Sequence, residues 1–407
     1  MRRTTNVILS LLASTLVACG TAPTATGRLP AAVDALAATA SNLRLVTLPE
    51  AGDTFFLRAL HGARKVIKLQ VYLLTHPGVI DELVAAKARG IDVQVMLEPQ
   101  PFNQVKLPNP FQPKGPDLPA NQLAAMKLAL GGVQVVWTSD AFNFTHAKVL
   151  TIDDAVTYVS TANFTKSGLG MDGKGAREYV IEDRDPADVA EFVNIYRADR
   201  AHAPYKPTNP HLVVSPVNAR QRILGLIAAA KRDVTIQVEV AGDPELDALL
   251  AAKRHEGVKV RVLLADVGSR KPAKDTKSEK VGGSGNANTA KTWSAAGVEV
   301  RYQDKPHLHA KAVIVDGLYM YVGSVNLTTN SMDNNRELGL VVTQPDIVGP
   351  VRATFDKDFA GARGINQHKP LKFPKVPKLH LTPIPGFDSA DDEDDDDGQA
   401  AIDEDQI

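Results

Sequence analysis

The sequence predicts an α/β fold of two similar α/β/α sandwich repeats, packed about a pseudo-two-fold axis with one shared active site. Two observations favour this fold. Sequence blocks recur in the same order in both halves, and each half alternates short apolar, β-branched runs with segments of helical spacing. Short apolar strands that alternate with helices are typical of buried sheets covered by helices. The chain of 407 residues is long enough for two such units.

The internal repeat consists of four blocks whose offset stays nearly constant. Matched between the first and second half, they are Ala63–Val71 with Ala230–Val238, Ala85–Leu97 with Ala251–Leu264, Gly132–Val135 with Gly297–Val300, and Thr145–Val149 with Leu308–Ala312. Self-similarity in a fixed order indicates a duplicated unit. We therefore expect the two halves to fold alike.

The elements of the first half follow from composition and spacing, and the same order begins again at Val234. Gly90 is a suitable helix terminator, and the β-branched runs favour strands. The predicted elements are a strand at Val66–Leu74, a helix at Val79–Ala88, a strand at Val93–Leu97, a helix at Gln122–Leu130 and a strand at Val133–Trp137.

Composition also divides the chain into segments. A Pro/Lys-rich stretch and an acidic tail with almost no apolar residues follow the repeats, and such a tail is typical of disorder. We assign a leader to residues 1–18, a flexible tether to 19–44, the first repeat to 45–205, the second repeat to 206–362, and the Pro/Lys-rich segment and disordered tail to 363–407.

The N-terminus has the pattern of a secretory leader. Arg2 and Arg3 precede the apolar run Val7–Ala18, which is too short to span a bilayer comfortably. The ending Leu16-Val17-Ala18-Cys19 resembles a bacterial lipobox, which implies that Cys19 is lipidated. The mature protein would then be a membrane-anchored lipoprotein outside the cytoplasm, at the periplasmic face or the cell surface. An ordinary signal peptide and a buried N-terminal helix remain alternatives.

Charge is segregated along the chain. Eleven acids and no Lys or Arg lie between Asp388 and Ile407, and removing them changes the formal net charge from −1 to +10. A positive body suits an anionic partner such as phospholipid or nucleic acid, although an ordinary lysine-rich surface would look the same. The tail lacks the Gly turn and spacing of a Ca²⁺ loop, so we expect no metal site there.

Two long loops occupy matching places in the repeats. Pro99–Pro119 is rich in Pro and contains Phe102 and Phe111, whereas Val267–Thr289 is rich in Lys, Gly and Ser. Loops of this length in a compact domain are often functional. We expect both to flank one cleft, where the two phenylalanines either contact acyl chains or pack against the body.

The residues that indicate chemistry recur in the two halves with identical spacing from histidine to asparagine and with a glutamate at a similar place farther on. His146 and Lys148 alternate on a predicted strand and so point to the same face. The two sets are His146, Lys148, Asp153, Thr161 and Asn163, followed by Glu178, and His309, Lys311, Asp316, Ser324 and Asn326, followed by Glu337.

Lysine and asparagine in this pattern suit a phosphodiester. Lys148 and Lys311 supply fixed positive charge without a metal. Asn163 and Asn326 supply amide N–H groups for nonbridging oxygens.

The paired histidines suit covalent catalysis. A neutral imidazole is a competent nucleophile, and a second, protonated imidazole can donate a proton to the departing alkoxide. One site therefore needs both His146 and His309. Glu178 and Glu337 are the candidates for orienting the imidazole rings.

The pattern His-x-Lys-x4-Asp, followed by Gly-Ser-x-Asn, resembles the phospholipase D superfamily over Leu45 to Phe359. The resemblance implies that His146 is the nucleophile and His309 the general acid/base, with the reverse assignment still open. It also implies that Asp153 and Asp316, although part of the catalytic motif, support the architecture more than they touch substrate. It implies no metal and no cofactor.

The first copy departs from this pattern. It has Ser160-Thr161 where the second copy has Gly323-Ser324. Thr161 keeps a hydroxyl, but the freedom of a Gly turn is lost. Substrate size or rate is therefore in question more than activity itself.

These observations lead us to expect a monomeric phospholipase D-type hydrolase that acts on phospholipid or another phosphodiester beside a membrane. The alternatives are a cardiolipin-synthase-like phosphatidyltransferase, an extracytoplasmic nuclease of the same superfamily, and a non-catalytic binding lipoprotein. Activity should persist in chelator for each of the three enzymes.

Overall fold

The computed structural model describes residues 42–101, 106–107, 117–266 and 286–366. The predicted leader, the lipidation site Cys19 and most of the tether lie outside the described residues. So do Phe102, Phe111, most of both long loops and the acidic tail.

The first half contains nine strands and four helices among the described residues. The strands are β1 (Leu43–Leu48), β2 (Val66–Val71), β3 (Asp92–Leu97), β4 (Lys106–Leu107), β5 (Leu118–Pro119), β6 (Gln134–Trp137), β7 (Lys148–Ile152), β8 (Val156–Ser160) and β9 (Ala176–Asp183). The helices are α1 (Thr54–Gly62), α2 (Pro77–Ala88), α3 (Ala120–Leu130) and α4 (Pro186–Arg200). A 3₁₀ turn spans Met171–Gly173.

The described part of the second half repeats this order. Its strands are β10 (Leu212–Ser215), β11 (Asp233–Val238), β12 (Ala241–Gly242), β13 (Lys259–Ala265), β14 (Glu299–Gln303), β15 (His307–Leu308), β16 (Lys311–Val315), β17 (Tyr319–Gly323), β18 (Leu327–Thr328), β19 (Glu337–Val342) and β20 (Arg363–Gly364). Its helices are α5 (Ala219–Ala228), α6 (Pro244–His255), α7 (Ala287–Ala295), α8 (Thr329–Asp333) and α9 (Pro345–Gly361).

Both halves build an eight-stranded sheet with the same strand order. The first sheet runs β1-β9-β8-β7-β2-β3-β6, with β15 of the second half paired to β9 as its eighth strand, and the second runs β10-β19-β17-β16-β11-β13-β14 before ending at β20. In each sheet, the strand that starts at the motif lysine lies near the centre, antiparallel to its neighbours. The prediction of two similar α/β repeats is confirmed.

Matched signals delimit α2 and α6, the corresponding helices of the two halves. A side chain caps each N-terminus, with His76 accepting from Val79 N at 3.3 Å and Asp243 accepting from Leu246 N at 3.0 Å. Each helix is followed by a glycine at positive φ, Gly90 at +89° and Gly257 at +87°. A residue without Cβ is favoured there, which is why these glycines end their helices.

The hydrophobic core has three parts. One cluster packs α1, α2 and α3 on the outer face of the first sheet, and a second packs α5, α6 and α7 on the outer face of the second sheet. The third lies between the sheets and combines residues of both halves with α4 and α9. On its inner face, each sheet is therefore covered by a helix and by the sheet of the other repeat.

Several bonds join the two halves beside the inner core. Strand β15 of the second half pairs with β9 of the first. Buried Arg177 bonds Asp358 at 2.7 Å, and buried Arg336 bonds Asp199 at 3.0 Å. These symmetric ion pairs anchor the two arginines that directly precede the motif glutamates Glu178 and Glu337. In the described part of the chain, no helix is both long and apolar enough to cross a membrane.

Candidate active site

The two motif segments are fixed to each other's repeat by backbone hydrogen bonds. His146 N donates to Arg336 O at 2.8 Å, and Ala310 N donates to Arg177 O at 2.8 Å. Each arginine directly precedes the motif glutamate of its own half. Consequently, the histidine of one half meets the glutamate of the other, and one site forms across the pseudo-two-fold.

His146 lies in a setting that keeps it neutral. Its Nδ1 is 2.9 Å from Glu337 Oε2, and its ring meets the Tyr72 ring edge-on, with centroids 4.6 Å apart. Burial lowers the pKa of His146 to about 4; Glu337 opposes this shift and the charge of Lys148 adds to it. With Nδ1–H donating to Glu337, the lone pair on Nε2 is available for attack.

His309 lies between two carboxylates. Its Nδ1 is 2.5 Å from Glu178 Oε1, and its Nε2 is 3.4 Å from Glu239 Oε2. In the imidazolium form each ring N–H faces a carboxylate oxygen, whereas a neutral ring could donate to just one of them. Both ring nitrogens of His309 therefore face carboxylate oxygens.

The two motif lysines are buried and point at the same cleft. Lys148 Nζ donates to His146 O at 2.6 Å and lies 5.1 Å from the centroid of the Tyr72 ring. Burial lowers the pKa of Lys148 to about 7. Lys311 Nζ makes the equivalent bond to His309 O and in addition contacts Glu239 Oε2 at 2.9 Å.

The two motif asparagines differ in their contacts. Asn163 is 7% exposed, and its Oδ1 has no hydrogen-bond partner among the described residues. Asn326 accepts a hydrogen bond from Val240 N at 3.2 Å, and its Nδ2 lies 3.5 Å from Glu239 Oε2. Asn326 therefore shares Glu239 with Lys311.

The departure in the first motif copy is a packing difference. Thr161 keeps a functional contact, since its hydroxyl donates to Glu178 and accepts from Tyr179 N at 2.9 Å. In the second copy a Cβ on Gly323 would lie 2.4 Å from the Cα of Gly339, its cross-strand partner. In the first copy, Ser160 faces Val180 and needs no such glycine.

Ser324 acts on the backbone of the neighbouring strand. It accepts from Leu338 N at 3.0 Å and donates to Leu338 O at 3.2 Å. Through these bonds Ser324 fixes the backbone next to Glu337.

Asp153 and Asp316, which belong to the same motif, lie at the far ends of their strands from the motif histidines. Asp153 follows the far end of β7 and accepts hydrogen bonds from the backbone N–H groups of residues 64, 65 and 66 at 2.7–3.1 Å. Asp316 makes the same bonds to residues 231, 232 and 233. Five residues of strand, about 16 Å, separate each aspartate from the cleft. Their role is to close the turn onto β2 or β11.

Glu239 and Tyr72 belong to the site, although motif reasoning did not find them. The repeat comparison matched Val71 with Val238, and extending it by one residue pairs Tyr72 with Glu239. Because the two residues differ in type, the repeat comparison by itself gives little reason to assign either of them to the site. Contact with the motif histidines is what identifies them.

Among the described residues, no group of three or more His, Cys, Asp or Glu side chains is arranged to hold a metal ion. Whether the reaction proceeds without metal remains a prediction for chelator experiments.

Comparison with protein families gives a match in both halves. The family described as "Cardiolipin synthase, PLD-like domain" matches residues 56–200 and 223–359. These two segments coincide with the two sheets and their helices, and each contains one complete His-x-Lys motif.

Curated relatives include mitochondrial cardiolipin hydrolases. The mouse protein is 26% identical over 160 residues, which cover 39% of this chain and 63% of the relative. The human protein is 29% identical over 130 residues, which cover 32% of this chain and 46% of the relative. The similarity thus spans less than two-thirds of either relative.

Solved structures share the fold. Phosphatidylserine synthase of Haemophilus influenzae aligns with a TM-score of 0.60 at 15% identity, over 82% of this chain and 90% of that chain. Polyphosphate kinase of Porphyromonas gingivalis aligns with a TM-score of 0.56 at 15% identity, over 77% of this chain and 50% of that chain.

Proposed function

The chain belongs to the phospholipase D superfamily, and on this premise we propose that it hydrolyses phospholipid head groups through a phosphohistidine intermediate. Membership implies an enzyme of phosphodiester chemistry. The observation that carries the mechanism is the unlike pair of histidines in one site. His146 is neutral, with one ring nitrogen free, and His309 has a carboxylate at each ring nitrogen.

In the first step His146 Nε2 attacks phosphorus. The P–N bond forms as the P–O bond to the head group breaks, and His309 Nε2–H gives its proton to the departing alkoxide. Lys148 and Lys311 offset the charge on the nonbridging oxygens, because fixed cations in a buried site are effective there. Glu337 stabilises the positive charge that develops on the His146 ring.

In the second step water completes the hydrolysis. His309, now neutral, takes a proton from water, whose oxygen attacks phosphorus as the P–N bond breaks. His146 leaves as a neutral imidazole, and the products are the free head-group alcohol and a phosphomonoester. For a glycerophospholipid the second product is phosphatidic acid.

The lipid substrate class is supported by what the relatives are called. The curated relatives are cardiolipin hydrolases, and the matching family is described as a cardiolipin synthase domain. Both names refer to a phospholipid with phosphodiester bonds. We therefore propose phospholipids, ahead of nucleic acid, as the substrate.

Phosphatidyl transfer is the second candidate function, favoured by the family description. The same phosphohistidine would be attacked by an alcohol instead of water, with His309 removing the alcohol proton. Nuclease activity would use the same steps on an oligonucleotide.

We also propose that Cys19 anchors the protein to a membrane outside the cytoplasm. The basic and apolar leader and the Leu-Val-Ala-Cys ending support this location. Labelling with a radioactive fatty acid in a bacterial host tests it, since a Cys19→Ser variant should take up no label.

The deciding experiment uses the chain from Ala31 onward, mixed phospholipid vesicles and EDTA, with lipid products identified by mass spectrometry. Phosphatidic acid is expected from the wild type and from the surface control His255→Ala, but not from His309→Ala. New diphosphatidyl lipid would favour transfer. If no lipid product forms, oligonucleotide cleavage is the next assay, and its failure as well would leave a binding protein.

A further inference from the structure

Three groups of the second half-site converge on one carboxylate oxygen. Glu239 Oε2 lies 2.9 Å from Lys311 Nζ, 3.4 Å from His309 Nε2 and 3.5 Å from Asn326 Nδ2. Glu239 directly follows β11, and its side chain is 19% exposed. These are the donors that the proposed mechanism assigns to the phosphate and the leaving oxygen.

The first half-site is not filled in this way. Tyr72 holds the position equivalent to Glu239, and its ring packs against His146 and below Lys148 Nζ. An aromatic ring leaves the cation able to receive an anion. The two halves thus carry the same motif residues, but a carboxylate contacts the motif lysine of the second half and an aromatic ring contacts that of the first.

We propose that Glu239 is an internal anion that fills the phosphate subsite of the second half in the free enzyme, and that a phosphodiester binds by displacing the Glu239 carboxylate from Lys311, His309 and Asn326. The inference rests on the proposed function, since it takes these three donors to be the phosphate ligands. A phosphate and a carboxylate on the same donors would repel each other, so substrate cannot bind fully while Glu239 stays in place.

Glu239 remains charged in the free enzyme. Burial opposes ionisation, but the charges of His309 and Lys311 outweigh it and hold the pKa of the Glu239 carboxyl well below its usual range. Substrate must therefore move the carboxylate, since neutral pH will not protonate it. In the free enzyme the carboxylate compensates the charge of Lys311, which is a buried cation whose other bonds are to neutral backbone oxygen or imidazole nitrogen of His309. The free enzyme should therefore bind simple anions such as inorganic phosphate more weakly than a variant without the Glu239 carboxylate.

The test measures inorganic phosphate binding by isothermal titration calorimetry on the chain from Ala31 onward. Glu239→Gln keeps the shape and removes the charge, and it should bind phosphate about tenfold more tightly, the change that about 1.4 kcal/mol of relieved competition produces. Glu299→Gln makes the same change at an exposed position on β14 and should leave the affinity unchanged. Adding Lys311→Met to Glu239→Gln should abolish the gain.

A second variant, Glu239→Ala, guards against a local effect of the amide, and thermal melts establish that each variant is folded. Unchanged or weaker phosphate binding in both folded variants would overturn the inference and leave Glu239 as a residue that positions Lys311. Tighter binding in a protein that cleaves no diester would uphold the inference and sink the proposed function. Diester cleavage without a gain in phosphate affinity would do the reverse.

Discussion

At the scale of single residues, His146 and His309 hold equivalent motif positions but have different surroundings. His146 contacts one glutamate and an aromatic ring, and burial keeps it neutral. His309 contacts two glutamates. One substitution between the repeats, Tyr72 for Glu239, accounts for the difference. The surroundings therefore favour the assignment of His146 as nucleophile.

Trapping the intermediate tests this assignment. With a nitrophenyl phosphodiester, whose leaving group needs no proton, His309→Ala should form the intermediate but turn it over about 10²–10⁴-fold more slowly. Mass spectrometry of the acid-labile adduct should place the phosphoryl group on His146. His146→Ala should give no adduct, and an adduct on His309 would establish the reverse roles.

The pH dependence of kcat/KM tests the charge states of the free enzyme. Activity should fall below pH about 4, where His146 becomes protonated and loses its nucleophilic lone pair. It should also fall above pH about 7, where Lys148 loses its charge. In Lys148→Arg the basic limb should move to higher pH, because guanidinium stays charged. If the limb stays at the same pH in that variant, it belongs to another group.

At the scale of elements, the motif aspartates act as ties between strands. Asp153 has φ +56° and Asp316 has φ +55°, and each carboxylate accepts three backbone N–H groups at the start of the adjacent strand. Aspartate is among the few residues that tolerate this backbone region and bond locally. The fixed spacing from lysine to aspartate is thus the length of one strand.

Asp153→Ala should destabilise the fold more than it slows the chemistry. We expect a loss of about 1–2 kcal/mol in the free energy of unfolding, because the hydrogen bonds are charge-assisted but partly exposed. The turnover of the folded variant should stay within about twofold of wild type, since unsatisfied N–H groups at the far strand end leave the cleft intact. Urea melts and initial rates measure the two quantities. Normal stability with lost activity would return Asp153 to the catalytic residues.

The backbone hydrogen bonds that Asp153 and Asp316 accept also make the stability of the fold depend on pH. Backbone hydrogen bonds outweigh the effect of burial and lower the pKa of Asp153 and of Asp316. Their contribution is present above the unfolded-state pKa near about 4 and is lost as pH falls through the lower folded-state value. The difference in stability between wild type and Asp153→Ala should therefore shrink on acidification.

At the scale of the whole molecule, the site exists because the halves are joined. Each histidine takes its orienting glutamate from the other half, and the buried pairs Arg177–Asp358 and Arg336–Asp199 cross the same boundary. A single half would therefore lack the glutamate that contacts Nδ1 of its own motif histidine. We expect calorimetry to show one unfolding transition for residues 42–366.

A double-mutant cycle tests this coupling. Arg336→Met should cost about 3–5 kcal/mol, because it leaves Asp199 as an uncompensated buried charge. Adding Asp199→Asn should cost less than the sum of the single changes, with a coupling of about 1–3 kcal/mol. Additive losses would mean that the pair does not hold the halves together.

The sequence by itself determined the duplicated α/β fold and the motif residues. The repeat period, the helix-ending Gly90 and the spacing from His146 to Asn163 are local properties, and local spacing decides which side chains share a strand face. The sequence shows that Ser160-Thr161 stands where the second copy has Gly323-Ser324, but the packing reason for this difference comes from the structure.

The tertiary structure alone decided which side chains meet across the two-fold. It gave His146 its glutamate from the other half, and it brought Glu239 to His309 from a position about 70 residues earlier in the chain. Contacts between distant segments depend on the packing of the two sheets, and burial in that packing sets the charge of each group. No spacing along the chain encodes either quantity directly.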